Sequence, residues 1–449
     1  MKDFAISENP AVQAQLDRLA ALPLPRGGLG LDTIRTLLQR LGDPQRRLPP
    51  VFHVAGTNGK GSTCAFLRAM LEAEGHRVNV GTKPHLVRYN ERIRLAGELI
   101  SDALLAEPLE EALDNAGDLP ASFFEITTAA MFLAFARTPA DACVIEVGLG
   151  GRFDATNVIE RPAACGIAAL GLDHEAFLLA DDPDAPSPEN ALVRIAFEKA
   201  GIARPGAPLV TQNYDPEVED ELIRRAGLAK SPLKMRGAQW TARAGLDSIA
   251  YEDRHGPLDL PLPAMAGAYQ ADNAALAVAM LRHQDAVPVG AASLAEGIRS
   301  AYWPARLHHL SAGPLTELLP DHDWLLDGGH NLLAAEAVAR YFGRTMKDRP
   351  RFAIIGMLQD KDWRGYIDTL APHLDALVAV PVDGHAHAPP GQLAQRAAEA
   401  GVGATGTAAD LEGAARWIGE RMTRPGEVFI GGSLYLAGKV LSANLEFPD

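Results

Sequence analysis

Apolar positions along the chain fall into short runs separated by stretches of helical spacing. Residues 48–55 form an apolar run that enters a glycine-rich turn, residues 62–74 carry helical spacing stopped by Gly75, and 77–80 read as the next strand. A strand–helix–strand unit of this kind implies a parallel sheet covered by helices. Ser122-Phe123-Phe124-Glu125 fits a capping box, in which serine and glutamate satisfy each other's backbone donors, and it opens a helix running to about Arg137. Residues 142–147 read as another buried strand ending in a glycine-rich turn. The stretch 181–190 is acidic with three prolines and reads as a surface loop, followed by helices over 191–200 and 273–282. Tyr302-Trp303-Pro304 breaks the periodicity and is the linker candidate. Beyond it a second series begins, with strands at 324–326, 352–355, 376–380 and 427–430 and a helix over 332–342. The pattern predicts an α/β protein with a parallel-sheet domain over 1–303 and a second, smaller Rossmann-like α/β domain over 304–449.

Length agrees with that division, since 449 residues exceed one ordinary hydrophobic core. Lys+Arg 42 against Asp+Glu 57 leaves a net charge of −15, which argues against nucleic acid as the main partner. It does not exclude a nucleotide, which a loop, a lysine and a metal ion can handle locally. Cys64, Cys143 and Cys165 have neither a paired spacing nor a zinc signature and read as buried reduced thiols. Residues 1–10 lack a basic region followed by an apolar core, and no apolar stretch is long enough to span a bilayer, so a cytoplasmic location without a membrane partner is expected.

The chemistry begins at Gly56-Thr57-Asn58-Gly59-Lys60-Gly61-Ser62. A strand, then glycines and a lysine, then a helix is a physical recipe for holding a triphosphate. Glycines let backbone N–H groups approach phosphate oxygens, and the helix N-terminus adds a favourable dipole. Lys60 supplies a mobile cation for the β- and γ-phosphates, and Ser62 a hydroxyl for phosphate or magnesium. The strict G-x-x-x-x-G-K-[ST] form is not met: Val54 stands at its first glycine and Gly61 precedes the hydroxyl. Glu146, at the carboxyl end of a strand, is placed either to bind magnesium or to face solvent. Taken singly, His174 reads as structural or exposed, and Lys199 as an ion-pair partner of Glu198.

The segment His53–Ser62 resembles the phosphate loop of the folylpolyglutamate synthase/dihydrofolate synthase family, which is related to the Mur ligases. The likeness extends through Lys83-Pro84-His85-Leu86, Tyr89-Asn90-Glu91-Arg92, Phe123-Phe124-Glu125, the block from Glu146 to Asn157, Leu172-Asp173-His174, Glu198-Lys199-Ala200-Gly201, Trp303-Pro304-Ala305-Arg306, Asp327-Gly328-Gly329-His330-Asn331 and Gly432-Ser433-Leu434. The Glu146–Asn157 block is the most specific. The resemblance implies an N-terminal ATP-binding Mur-ligase-like central domain and a C-terminal glutamate-ligase domain, with ATP between them and closure during catalysis. It also implies one or two Mg2+ ions, with Glu146 and His174 as ligands and Lys199 carbamylated so that it helps hold the second. Lys83 departs from the pattern, since the family commonly carries a metal-binding serine there. Thr82 substitutes for it, or water does, or the lysine takes part of the cation's electrostatic role.

The resemblance further implies contacts from Asn273, Arg306 and Asp327 to the nucleotide, and from His330 and Ser433 to glutamate or phosphate. The pterin and benzoate are expected near Arg26, Gly27, Gly28, Leu29, Pro84, Ser122, Glu125, Phe153, Asp154 and Ala155. Phe124 suits a flat ring and Phe123 suits core packing. Tyr89–Arg92 is expected to order over the substrate. Lys60, Glu146, His174, Lys199 and His330 form the expected catalytic set. Amide formation from a carboxylate needs activation, which ATP supplies as an acyl phosphate, and no nucleophile elbow competes with that route. The expected reaction joins L-glutamate to dihydropteroate and to reduced folates, in a monomer without nucleic-acid partners. The alternatives are an enzyme using only one of these acceptors, a Mur-type ligase, or a P-loop ATPase that ligates nothing.

Overall fold

The computed structural model describes residues 6–22, 30–180, 182–187, 189–345, 349–421 and 424–448. It is an α/β protein of two compact units. One runs to Ala264 and includes Gln270–Tyr302; the other joins Met265–Tyr269 to Trp303–Pro448.

The first unit is built on an eight-stranded sheet in the order Glu98–Leu99, Ile93–Leu95, Val78–Gly81, Ala142–Glu146, Val51–Ala55, Ala164–Ile167, Leu209–Thr211, Leu233–Met235. The central strands are parallel and buried along their whole length. That burial is why they read as continuous apolar runs rather than alternations. The helix Phe123–Arg137 opens on the expected capping box, with the Ser122 and Glu125 side chains each accepting from the other's backbone N–H. It is buried from Ile126 to Phe135, so it packs on all sides. A three-stranded antiparallel sheet, Trp240–Ala244, Ser248–Asp253 and Gly256–Pro261, completes the unit and was not expected from the pattern.

This topology selects a position for a ligand. From Val51–Ala55 the chain passes over Ala142–Glu146 to reach Val78–Gly81, whereas from Ala164–Ile167 it proceeds to the opposite edge. The two directions part beside Val51–Ala55 and leave a crevice at the carboxyl ends of those strands. The register sets Val54 opposite Glu146 and Ala55 opposite Ile167, so the glycine loop, Glu146 and the segment after Ile167 all open there.

The second unit holds a six-stranded sheet in the order His308–His309, Asp323–Asp327, Glu427–Gly431, Arg351–Ile355, Ala376–Ala379, Ala404–Thr407, parallel except for its first strand. Its core includes Phe342 and Phe429, edge to face at 5.2 Å, with Trp363 and Tyr366. Among the described residues no helix is long and apolar enough to cross a membrane. The three cysteines are buried and free.

Candidate active site

The phosphate loop is the turn between Val51–Ala55 and the helix Lys60–Ala73. That helix starts two residues earlier than the apolar spacing suggested, because Gly59 turns the chain with a φ of 82° directly before Lys60. A side chain at Gly59 would collide with the Asn273 amide, which is itself held by Gln270 at 3.0 Å. Asn273 therefore lies against the loop from the helix Tyr269–Arg282. Thr57 and Asn58 donate their backbone N–H groups to the Ala169 carbonyl at 2.8 and 3.2 Å. The Thr57 hydroxyl donates to the Gly171 carbonyl at 2.9 Å. The loop is thus tied to the strand end across the crevice, with Gly61 and Ser62 buried in the first helical turn.

Two lysines converge on this loop. Lys60 Nζ donates to the carbonyls of Gly56 and Thr57 at 3.0 and 3.1 Å. Lys199 Nζ, from the buried end of Ala191–Ala200, donates to the same Gly56 carbonyl at 2.9 Å. Burial pushes the Lys199 amine down to about 7, Lys60 pushes it the same way, and Asp173, Asp154 and Glu198 oppose. Two lysine amines donating to one carbonyl, with Lys60 making Lys199 harder to charge, form an arrangement that an anion between them would relieve.

Glu146 ends its strand buried, and its Oε2 accepts from the Lys83 backbone N–H at 3.1 Å. The Lys83 side chain turns along Gly148, and its ammonium donates to the Thr128 hydroxyl at 3.3 Å. Burial lowers the Lys83 amine, while Asp154 and Glu146 hold its charge in place. Asp154 is engaged on both oxygens: Oδ2 accepts from Gly148 and Leu149 N–H at 3.0 and 2.9 Å, and Oδ1 accepts from Thr156. The Thr156 hydroxyl also meets His53 Nε2 at 2.8 Å, and burial lowers that imidazole to about 3, so it is neutral. Asp154 thereby shapes the Gly148–Leu149 turn and draws in the Lys83 ammonium. This His53–Thr156–Asp154–Lys83 chain escaped the sequence reading. A histidine inside an otherwise apolar strand was the available signal.

His174 precedes the short helix Glu175–Leu178 in a left-handed conformation with φ 54°, its Nε2 4.0 Å from an Asp173 oxygen. Among the described residues no three of His, Cys, Asp and Glu converge as ready metal donors. A divalent ion prefers several oxygen ligands. The unmodified donor set is one carboxylate, one imidazole and a repelling amine. The Lys199 side fits such an ion only as a carbamate, and the Glu146–Lys83 side does not fit one, because an ammonium stands in it. The Thr82 hydroxyl is directed to the Glu91 carbonyl at 3.5 Å.

Toward the acceptor side, the Phe123 and Phe124 rings meet edge to face at 5.5 Å. Phe123 packs on the core, with the Arg92 guanidinium 5.9 Å from its ring. The Arg152 guanidinium lies 4.1 Å over Phe153, and Ala155 is buried. Pro84 is exposed. Residues 86–92 are held by the Glu91 carboxylate, which accepts from the N–H groups of Leu86, Val87 and Arg88 at 2.7, 2.9 and 2.6 Å. Arg26, Gly27, Gly28 and Leu29 lie outside the described residues.

In the second unit Asp327 ends its strand, and its two oxygens accept from Leu307 N–H at 3.0 Å and Gly329 N–H at 2.7 Å. Burial raises its carboxyl, with Arg306 the main opposing charge. His330 Nδ1 sits 3.3 Å from the Gly328 carbonyl. Ser433 caps the helix Leu434–Ala443 by accepting from Tyr435 N–H at 3.1 Å.

A parallel α/β sheet whose switch point carries a glycine–lysine phosphate loop, a strand-end carboxylate and a second buried lysine defines a nucleotide-dependent enzyme of the Mur-ligase-like fold class. The family model described as dihydrofolate synthetase, C-terminal domain, matches residues 319–443. The dihydrofolate synthase/folylpolyglutamate synthase of Escherichia coli (strain K12) is 34% identical over 357 residues, covering 79% of this chain and 78% of that protein. Among solved structures, E. coli FolC in complex with DHPP and ADP superposes with a TM-score of 0.84 at 30% identity, covering 97% of each chain. The bifunctional folylpolyglutamate synthase/dihydrofolate synthase with Mn, AMPPNP and L-glutamate bound gives a TM-score of 0.82 at 30% identity over 99% of each chain. The chain belongs to the dihydrofolate synthase/folylpolyglutamate synthase family of ATP-dependent ligases.

Proposed function

We propose that this chain joins L-glutamate to dihydropteroate, giving dihydrofolate, and to reduced folates, giving folylpolyglutamates, with ATP converted to ADP and phosphate. The observation that carries this reading is the convergence of Lys60 and Lys199 on the Gly56 carbonyl beside Glu146, in a chain of this family.

The acceptor carboxylate attacks the γ-phosphorus, the bond to the β-bridging oxygen breaks and ADP leaves, giving an acyl phosphate. The neutral amine of glutamate then attacks the carbonyl carbon, inorganic phosphate leaves, and the amine loses a proton. Little covalent work falls to the protein in such transfers, so positioning and charge neutralisation dominate. Backbone N–H groups at the start of Lys60–Ala73 hold the phosphates, and Lys60 follows the charge that develops on the γ-phosphoryl group. Asn273, Arg306 and Asp327 orient the nucleotide, His330 and Ser433 the glutamate or phosphate. Phe124, Phe153, Asp154 and Ala155 border the acceptor, with Pro84, Ser122, Phe123 and Glu125 shaping the surrounding wall.

His174 and a carbamylated Lys199 would hold Mg2+, with Glu146 engaged by Lys83 rather than given to the ion, and when bound the ion would supply charge neutralisation to the phosphates. The carbamate forms when the neutral Lys199 amine adds to CO2 and releases a proton. An amine lowered to about 7 has a substantial neutral fraction near neutral pH. The protein acts as a cytoplasmic monomer on small molecules, without nucleic acid.

The test supplies ATP and glutamate with dihydropteroate or with a reduced folate and follows ADP and the product mass. A new amide with both acceptors is expected. One acceptor alone would make the enzyme monofunctional, and ADP release without any acceptor would identify a simple ATPase.

A further inference from the structure

A cation already stands at the end of the Ala142–Glu146 strand. Gly148, two residues past Glu146, leaves room that the Lys83 side chain fills: a Cβ there would lie 3.3 Å from Lys83 Cδ, 3.7 Å from Nζ and 3.2 Å from Asp154 Oδ2. Along that channel the Lys83 backbone N–H binds Glu146, and its ammonium binds the Thr128 hydroxyl with Asp154 and Glu146 as the attracting carboxylates. Thr128 lies on the buried helix Phe123–Arg137, and Asp154 is pinned by the Gly148 and Leu149 N–H groups. The ammonium thus sits in a built pocket, with its partners fixed by secondary structure rather than by flexible side chains.

From this geometry we infer that Lys83 is a built-in monovalent cation for the strand-end carboxylates, and that the chain accordingly binds one divalent ion fewer with its nucleotide than it would with a hydroxyl at residue 83. The inference deepens the reading of the site as an ATP-dependent ligase centre and rests on it. An ammonium offers only donors, so it cannot ligate a metal, and its charge opposes a divalent ion at the same carboxylate. A serine at this position would supply an oxygen ligand and leave Glu146 to a metal. Lys83 is a positioning residue in this scheme: its charge offsets part of that of Glu146 and Asp154, beside the Gly148–Leu149 turn that Asp154 holds, and it need not touch the reacting atoms. The Lys199 side keeps its own ion.

The experiment counts Mn2+ by electron paramagnetic resonance at saturating non-hydrolysable ATP analogue, with nucleotide affinity measured in parallel by calorimetry. The native chain is expected to hold about one Mn2+ per bound nucleotide and K83S about two. A native chain that binds the analogue with about two Mn2+ overturns the inference, whatever the variant does. A native chain that binds no analogue refutes the ligase reading instead, so the two failures are distinguishable. Lys83→Arg keeps the charge and is expected to keep the native metal count. If that variant gained a metal while remaining folded by circular dichroism, charge would not be what excludes it, and the inference would fail.

Discussion

Each large sheet ends one strand in a buried carboxylate, Glu146 in the first unit and Asp327 in the second, and the surroundings of the two differ. Around Glu146 the chain collects cations: Lys83 beside it, and Lys60 with Lys199 on the neighbouring glycine loop. Around Asp327 it collects backbone donors, Leu307 and Gly329 N–H, with Arg306 as the nearest opposing charge. In the proposed mechanism the first arrangement handles charge that moves during phosphoryl transfer. The second fixes the shape of a turn and, through it, the orientation of whatever the turn holds. In that mechanism a strand-end carboxylate serves transition-state electrostatics in one unit and ground-state geometry in the other, and variants should separate the two as kcat effects and KM effects.

The sharpest break is at Lys60. Lys60→Ala removes a cation aimed at developing charge and is expected to lower kcat about 10³-fold with both acceptors while the protein stays folded. A change confined to KM, read from steady-state ADP release, would mean that Lys60 only binds ATP. Next comes Lys199→Arg, which keeps a charge but cannot carry a carbamate. It is expected to lower kcat about 10²-fold, and native protein at elevated bicarbonate should gain the mass of CO2 on Lys199. A bare amine under turnover conditions would refute the carbamate. Asp327→Asn belongs to the other side of the comparison. One of its two accepted N–H bonds is lost, so KM for ATP is expected to rise about tenfold with kcat largely kept, in line with ~1–2 kcal/mol for a buried hydrogen bond.

How far each arrangement was legible depends on how local it is. The phosphate loop is contiguous, and glycine, lysine and the following helix announce it within seven residues, 56 to 62. Strand ends were legible because buried parallel strands read as apolar runs closed by glycines. Partners drawn from distant segments were not. Lys199 reaches a carbonyl 143 positions away, and Lys83 enters a channel made by Thr128, Gly148 and Asp154. Sequence showed that Lys83 cannot ligate a metal, but where its ammonium goes is set by tertiary packing. The antiparallel sheet at 240–261 was missed for another reason. Its middle strand buries Ile249 and Tyr251 and exposes Ala250 and Glu252, an alternation too short to stand out between charged and glycine positions. Asp154 matched the family block, yet its engagement with Gly148, Leu149 and Thr156 appears only once the turn is folded.

The smallest effects come from a matched pair of serines, and they test the comparison most cleanly because the structural duty is the same. Ser122 caps Phe123–Arg137 in the first unit, and Ser433 caps Leu434–Ala443 in the second. Replacing either by alanine removes one cap and should cost about 1 kcal/mol, a fall of roughly 2–4 °C in melting temperature for a unit of this size. Function should divide them. The Ser122 hydroxyl both accepts from Glu125 N–H and donates to the Glu125 carboxylate at 2.7 Å, so its donor is already engaged. Ser122→Ala should therefore leave KM for ATP and glutamate within about twofold, since toward those two substrates the cap is a stability term alone. Ser433 accepts from Tyr435 N–H and has no hydrogen-bond acceptor for its own proton among the described residues, although the side chain is buried. A buried hydroxyl with a proton to give is well suited to a carboxylate or phosphate oxygen. Ser433→Ala should raise KM for glutamate or ATP by about tenfold for the lost charge-assisted bond, with the same loss in melting temperature. Equal KM values in the two variants would show that the turn at Gly432–Ser433 orients its ligand through the backbone alone.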